Sequence, residues 1–228
     1  SASLLAAAQN MDPTLHALGV HLLTRLVDDK PAVRRTALQS LEAWAKASRL
    51  PLSAGVLSAV RMRCRDTSSA IRKQAAKTLN GLLAIEPESP SVRSTWLAGV
   101  LPLLRDSELT VSEAALDAVH DHVLLPLARC AGAPAKGFES VSWALLERLT
   151  PESEPLLQHG VSALAKLKRL PSALAATAQA MLTPAADDAT GDASPAAAGD
   201  VAGAAASGRA ALWAVVLELA KQPQAGAA

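Results

Sequence analysis

"RDTSSAIRKQAAKTLNGLL", residues 65–83, is the stretch on which the fold of this chain turns. Asp66 stands five positions before Ile71, Arg72 and Lys73 follow, and Ala75 and Leu79 recur at helical spacing. An isolated amphipathic helix would explain apolar residues three and four apart. It would not explain why the arrangement occurs three times. With Val33, Ile71 and Val111 aligned, at separations of 38 and 40 residues, Asp28, Asp66 and Asp106 coincide five positions upstream. Ala37, Ala75 and Ala115 coincide four positions downstream, and Leu41, Leu79 and Val119 four beyond that. On the upstream side Leu22, Val60 and Val100 fall together, as do Leu26, Cys64 and Leu104.

A period of about 40 residues covering two helices is that of helical-hairpin solenoids of the HEAT or armadillo kind. One hairpin cannot bury its apolar face alone, so neighbours must stack. The expectation is an all-α superhelix, a curved stack of HEAT-like hairpins. The aspartate falls in the turn between the two helices of each unit, where a carboxylate caps the second helix or accepts from exposed amides. The small alanine lets the paired helices approach closely.

Composition agrees. Half of the 228 residues are hydrophobic, yet aromatics are only 2%, with no Tyr and one Phe. A core must therefore be built from Leu, Ala and Val, a composition that favours helices because Ala and Leu lose little on entering one, and strand formers are too few for a sandwich or barrel. The net charge is +1, so contact with a polyanion must come from local clustering. Cys64 and Cys130 make neither a disulfide framework nor a four-ligand zinc site, and read as packing residues in a reducing compartment. The opening "SASLLAAAQN" lacks Met and a cationic leader, and reads as a piece of a longer protein. No apolar run approaches the ~20 residues that span a bilayer.

The helices expected are "DPTLHALGVHLLTRL" (12–26) with "AVRRTALQSLEAWAKA" (32–47), "LSAGVLSAVRMRC" (52–64) with "SAIRKQAAKTLNGLLAI" (69–85), and "SVRSTWLAGVLPLL" (91–104) with "LTVSEAALDAVHDHVLLPLA" (109–128). A loop at 131–137 and less regular helices within 138–182 follow, and residues 3–9 read as the end of a preceding helix. The domain reading is HEAT-like repeats over 1–182, a low-complexity disordered insertion at 183–208, and a continuing repeat helix within 209–228. The insertion has too few large apolar residues to order itself.

Two charge patterns carry candidate function. Arg34 and Arg72 open the second helix of their units, a position from which a guanidinium reaches a neighbouring unit's aspartate. Asp28, Asp66, Asp106, Arg34 and Arg72 are therefore read as a structural ladder. The third unit carries Ser112 at the arginine position, which leaves its part in the ladder open. Arg61, Arg63, Arg65, Lys73 and Lys77 are nucleic-acid candidates: cations that neutralise phosphates if they share a groove, or a solvated face if they do not. No aromatic interleaves them, so any DNA binding is sequence-independent rather than by base stacking. Trp44, Trp96, Trp143 and Trp213 read as packing residues.

The pair His120 and His122, two apart on a helix, diverges, and only Asp117 adds a ligand at helical spacing, so no metal is expected. Gly-rich phosphate loops, GxSxG and an activated Cys–His pair are absent, so no catalytic residue and no cofactor is expected either.

Three segments carry a resemblance. "RCRDTSSAIRKQAAKTLNGLL" (63–83), "TWLAGVLPLLRDSELTVSEAALDAV" (95–119) and "VSWALLERLTPES" (141–153), in this order, resemble the D-type HEAT subunits of condensin II. The likeness covers about residues 20–182 and returns at "ALWAVVLELA" (211–220). It implies a regulatory, non-catalytic scaffold in the nucleus, on chromosomes, acting in mitotic chromosome condensation and segregation. The partners it implies are the kleisin subunit, a second HEAT subunit, the SMC ATPases and DNA, with no membrane. A different HEAT adaptor, such as a transport receptor or phosphatase scaffold, and a HEAT-like DNA glycosylase stand as alternatives. The glycosylase would need an aromatic-lined pocket, which the scarcity of aromatics opposes.

Overall fold

The structure, a computed structural model, describes residues 13–47, 52–130 and 140–182. Every regular element among these residues is helical, in hairpins that pack as an all-α HEAT-like solenoid does. The described residues fall into two compact units, divided in sequence between Ala115 and Leu116. The expected helices at 3–9 and 209–221, the 131–137 loop, the 183–208 insertion and Trp213 lie outside the described residues.

The first unit contains α1 (Pro13–Arg25), α2 (Pro31–Lys46), α3 (Ala54–Arg63), α4 (Ser69–Ile85) and α5 (Pro90–Val100). Prolines at the first turn of α2 and α5 fix φ where no amide partner is needed. Ser53 accepts the Val56 N–H at the start of α3. Helix α2 packs on α1 and α4, and α3 and α5 pack on α4 and on each other. The buried spine is the set that recurred in the sequence: Ala37, Leu41, Val60, Ile71, Ala75, Leu79, Val100 and Val111 are all 3% exposed or less. Cys64, on that spine, is a buried thiol pushed up to about 12 by desolvation, against the pull of Arg61 and Arg65. Its burial on the spine makes it a packing residue.

Two of the predicted helices are broken at proline. Pro102 lacks an amide hydrogen, so α5 ends at Val100 and the chain tightens into a 3-10 segment, Leu101–Arg105. Helix α6 (Leu109–Val119) ends where Pro126 makes itself felt upstream, and the chain widens into a π-helical stretch, His120–Leu124, before α7 (Leu125–Arg129). There the Leu125 N–H reaches back five residues to the His120 carbonyl.

The second unit, from Leu116, continues with α8 (Val141–Leu146), α9 (Glu154–Lys166) and α10 (Leu174–Leu182). Helix α10 packs on α7, and α8 on the π-helical stretch. Pro126 leaves the His122 carbonyl, four residues back, without its usual helical donor. The hydroxyl of fully buried Ser142 donates to that carbonyl at 2.9 Å. Helix α9 ends with Lys168 at φ 55, Lys168 N–H bonding the Ala165 carbonyl and Arg169 N–H the Leu164 carbonyl. This is a Schellman cap with lysine in the place glycine usually takes.

Candidate functional site

The three aspartates share one local job. Each accepts the amide hydrogen two residues ahead on one carboxylate oxygen: Asp28 from Lys30 at 3.0 Å, Asp66 from Ser68 at 3.0 Å, Asp106 from Glu108 at 2.9 Å. The carboxylate thus closes the turn just before the second helix of its hairpin, rather than capping the helix from the N-cap position.

The arginines join one hairpin to the next. Arg34 Nε donates to Asp66 Oδ2 at 2.8 Å and Nη2 to Oδ1 at 2.6 Å. Its Nη1 donates to the carbonyls of Asp28 and Asp29 at 2.8 and 3.0 Å. Arg72 repeats the geometry one unit on, with two bonds of 2.7 Å to Asp106 and Nη1 on the Asp66 and Thr67 carbonyls. Each guanidinium therefore clamps its own turn and the following one with a planar fork, which lysine cannot do. Arg63 adds a third cationic contact to Asp66, at 3.1 Å. The ladder stops at Asp106, because Ser112 stands where the next arginine would be and bonds the Leu109 carbonyl instead.

Electrostatics grade the two rungs. Arg34 and Asp66 are 8% and 7% exposed. Burial alone would raise the Asp66 pKa, but hydrogen bonds from Arg34 and Ser68 and the charges of Arg34 and Arg63 outweigh it and hold the carboxyl below its ordinary range. At Asp106 the Arg72 hydrogen bonds are the largest influence, with the same downward result, and Arg72 is raised in turn. The Lys30 amide lowers Asp28.

The nucleic-acid candidates do not form one equivalent group. Arg65, Lys73 and Lys77 are exposed, the two lysines one turn apart on α4. Arg61 and Arg63 are half-buried, and Arg63 is committed to Asp66. Trp96 is fully buried and donates to Asn80 at 2.8 Å, Trp143 is buried and donates to Glu147 at 2.7 Å, and Trp44 is half-buried. His120 bonds Asp121 at 2.7 Å, while Asp117 pairs with Arg169 at 2.7 Å. Burial lowers the His122 pKa. Among the described residues no three metal-ligating side chains gather, and no helix is long and apolar enough to cross a membrane.

The sequence reading missed one polar thread. Gln39 donates to Gln74 at 3.3 Å, and Gln74 to fully buried Thr78 at 3.4 Å, so α2 and α4 are also joined by side-chain amides. Gln74 follows Lys73 in a cationic run, and nothing in its spacing set it apart.

Stacked hairpins clamped by arginine–aspartate rungs define a helical-hairpin protein of the HEAT-like class. Over 156 residues the chain is 34% identical to condensin-2 complex subunit D3-L of Xenopus laevis, a match covering 64% of this chain and 10% of that protein. Over 144 residues it is 33% identical to condensin-2 complex subunit D3 of Mus musculus, covering 60% and 9%. No family model matches, and no solved structure matches. The chain spans about a tenth of the length of these relatives and fits a fragment of a D3-type condensin-2 subunit.

Proposed function

We propose that this chain is part of a non-catalytic scaffold subunit of condensin II, holding kleisin and SMC partners and duplex DNA for mitotic chromosome condensation. The observation that carries the reading is the match to two D3 subunits over about 60% of the chain. The ladder supports it physically: two bidentate rungs fix the turns of successive hairpins, so exposed side chains are held in register for a large partner. The complex works in the nucleus, on chromosomes, beside a second HEAT subunit, and ATP hydrolysis belongs to the SMC proteins.

Complete protein pulled from mitotic extract, read by mass spectrometry, brings down kleisin and SMC subunits. Their absence overturns the complex. For DNA, the exposed cations Arg65, Lys73 and Lys77 are the residues to reverse in charge, since Arg63→Glu would also break the Asp66 rung. The triple Glu variant binds duplex more weakly, and its salt dependence flattens by about 0.9 in log–log slope for each phosphate no longer neutralised. Unchanged binding removes these residues from the DNA account.

A further inference from the structure

Helix α9 ends in four consecutive exposed side chains, Lys166, Leu167, Lys168 and Arg169. Three are cations, and no Asp or Glu occurs in the sequence from Pro155 to Ala186. The acid that reaches them is Asp117, 2.7 Å from one nitrogen of Arg169, in a pair whose side chains are 54% and 42% exposed. Lys166 and Lys168 have no ion pair among the described residues. Leu167 is 55% exposed, while Leu157, Val161 and Leu164 of the same helix are buried.

Packing gives Lys168 no reason to be a lysine. It takes φ 55 where glycine closes such a cap without strain, and no other non-glycine among the described residues has a positive φ. A cation beside the last carbonyls of a helix gains a little from the helix dipole, but Lys166 and Arg169 flank the position and already supply that. The Lys168 side chain thus makes no contact that offsets its backbone conformation. Strain kept in this way belongs with a functional position.

We infer that this end of α9 is a docking site for an acidic segment of another protein, one that carries an apolar side chain among its carboxylates. Charge sets the sign of the partner, since two of the three cations have no counter-ion among the described residues. The leucine sets its kind. The phosphates of a nucleic acid offer nothing to Leu167, whereas a peptide leucine between glutamates covers it and leaves carboxylates for Lys166 and Lys168. The site belongs to the second unit and does not rest on the DNA reading of Arg65, Lys73 and Lys77 in the first.

The test follows, by fluorescence anisotropy, two labelled peptides binding to the full-length protein. One has a leucine with three glutamates on either side, and the other has serine in place of the leucine. The leucine peptide binds, and the serine peptide binds weaker by about threefold or more. Lys168→Gly gives the cap its preferred residue and so keeps the fold, yet weakens the leucine peptide about three- to fivefold. Adding Lys166→Gln takes the loss to about tenfold or more. Leu167→Ser abolishes the difference between the two peptides, because the two leucines meet. The triple Glu variant at Arg65, Lys73 and Lys77 binds the leucine peptide as the unaltered protein does. Affinity unmoved by Lys168→Gly with Lys166→Gln overturns the site, and so does a loss confined to the triple variant. Equal binding of the two peptides, or duplex DNA that competes for α9 as well as the leucine peptide does, overturns an acidic protein segment as the occupant.

Discussion

Residues 28–106 and residues 116–182 are held together in different ways. In the first region one contact is used twice, an arginine fork on the next hairpin's aspartate, over an aliphatic spine that repeats with it. In the second, each irregularity has its own remedy: Ser142 takes the carbonyl freed by Pro126, Trp143 bonds Glu147, and Lys168 adopts a left-handed conformation to close α9. Periodic sequence yields periodic contacts, so a single substitution in the ladder disturbs a device with a duplicate beside it. In the second region the devices are single and have no duplicate.

Unequal burial of the two rungs gives the largest expected effect. Asp66→Ala leaves Arg34 buried beside only backbone carbonyls, and costs about 3 kcal/mol in urea unfolding. Asp106→Ala, whose Arg72 partner is more exposed, costs about 1.5–2 kcal/mol. Equal losses would show that burial does not grade the rungs. Both carboxyls titrate below the ordinary value of 3.8, so the unfolded chain takes up their protons first as pH falls. Their stabilisation is complete above that value and is lost as pH falls through the folded-state pKa. Asp106→Asn accordingly flattens the acid limb of a stability-against-pH curve, and an unchanged limb would exclude the pair as its cause.

Next comes helix approach in the periodic region. A Cβ at Gly99 would lie 2.5 Å from Leu79 Cδ1, on a fully buried side chain. Gly99→Ala costs about 1–3 kcal/mol by overpacking. At Gly81 the nearest atom is Glu42 Oε1 at 2.6 Å, the end of a side chain that swings away. Gly81→Ala is milder, and the reverse order of midpoints would contradict the packing described.

In the second region Ser142→Ala removes the hydroxyl that donates to the His122 carbonyl and costs about 1 kcal/mol. Adding Pro126→Ala restores a helical donor, so the loss from Ser142→Ala shrinks in that background. An undiminished loss would detach Ser142 from the proline. The smallest effect has the opposite sign: Lys168→Gly relieves a left-handed lysine and raises stability by up to about 1 kcal/mol. A lower midpoint would mean that the lysine side chain contributes more than its backbone conformation costs.

How much was legible in the sequence follows the same division. The span 69–85 was read from the sequence and is a helix from Ser69 to Ile85, because apolar spacing there was uninterrupted. The aligned positions Ile71, Ala75 and Leu79 are buried, as are their counterparts Ala37, Leu41, Val111 and Ala115 in the same unit, while Val33 is half-buried. Pro102 and Pro126 were visible but were read through, because strong apolar periodicity on either side masked the missing donors. Trp96 was read as core, yet its bond to Asn80 was not foreseen, since sixteen residues separate them. With Arg72 set aside as a ladder residue, the cations Arg61, Arg63, Arg65, Lys73 and Lys77 looked alike in the sequence. They divide because a three-residue step brings Arg63 back onto Asp66, while Lys73 and Lys77 point to solvent.

The sequence by itself determined that this chain is a stack of two-helix units, because a period of about 40 residues in small aliphatic side chains has no other way to be buried. Tertiary structure alone decided which of the cations Arg61, Arg63, Arg65, Lys73 and Lys77 is committed to a carboxylate and which are exposed. A guanidinium's role depends on whether a carboxylate from another hairpin lies within about 3 Å of it, and that distance exists only once the helices have packed.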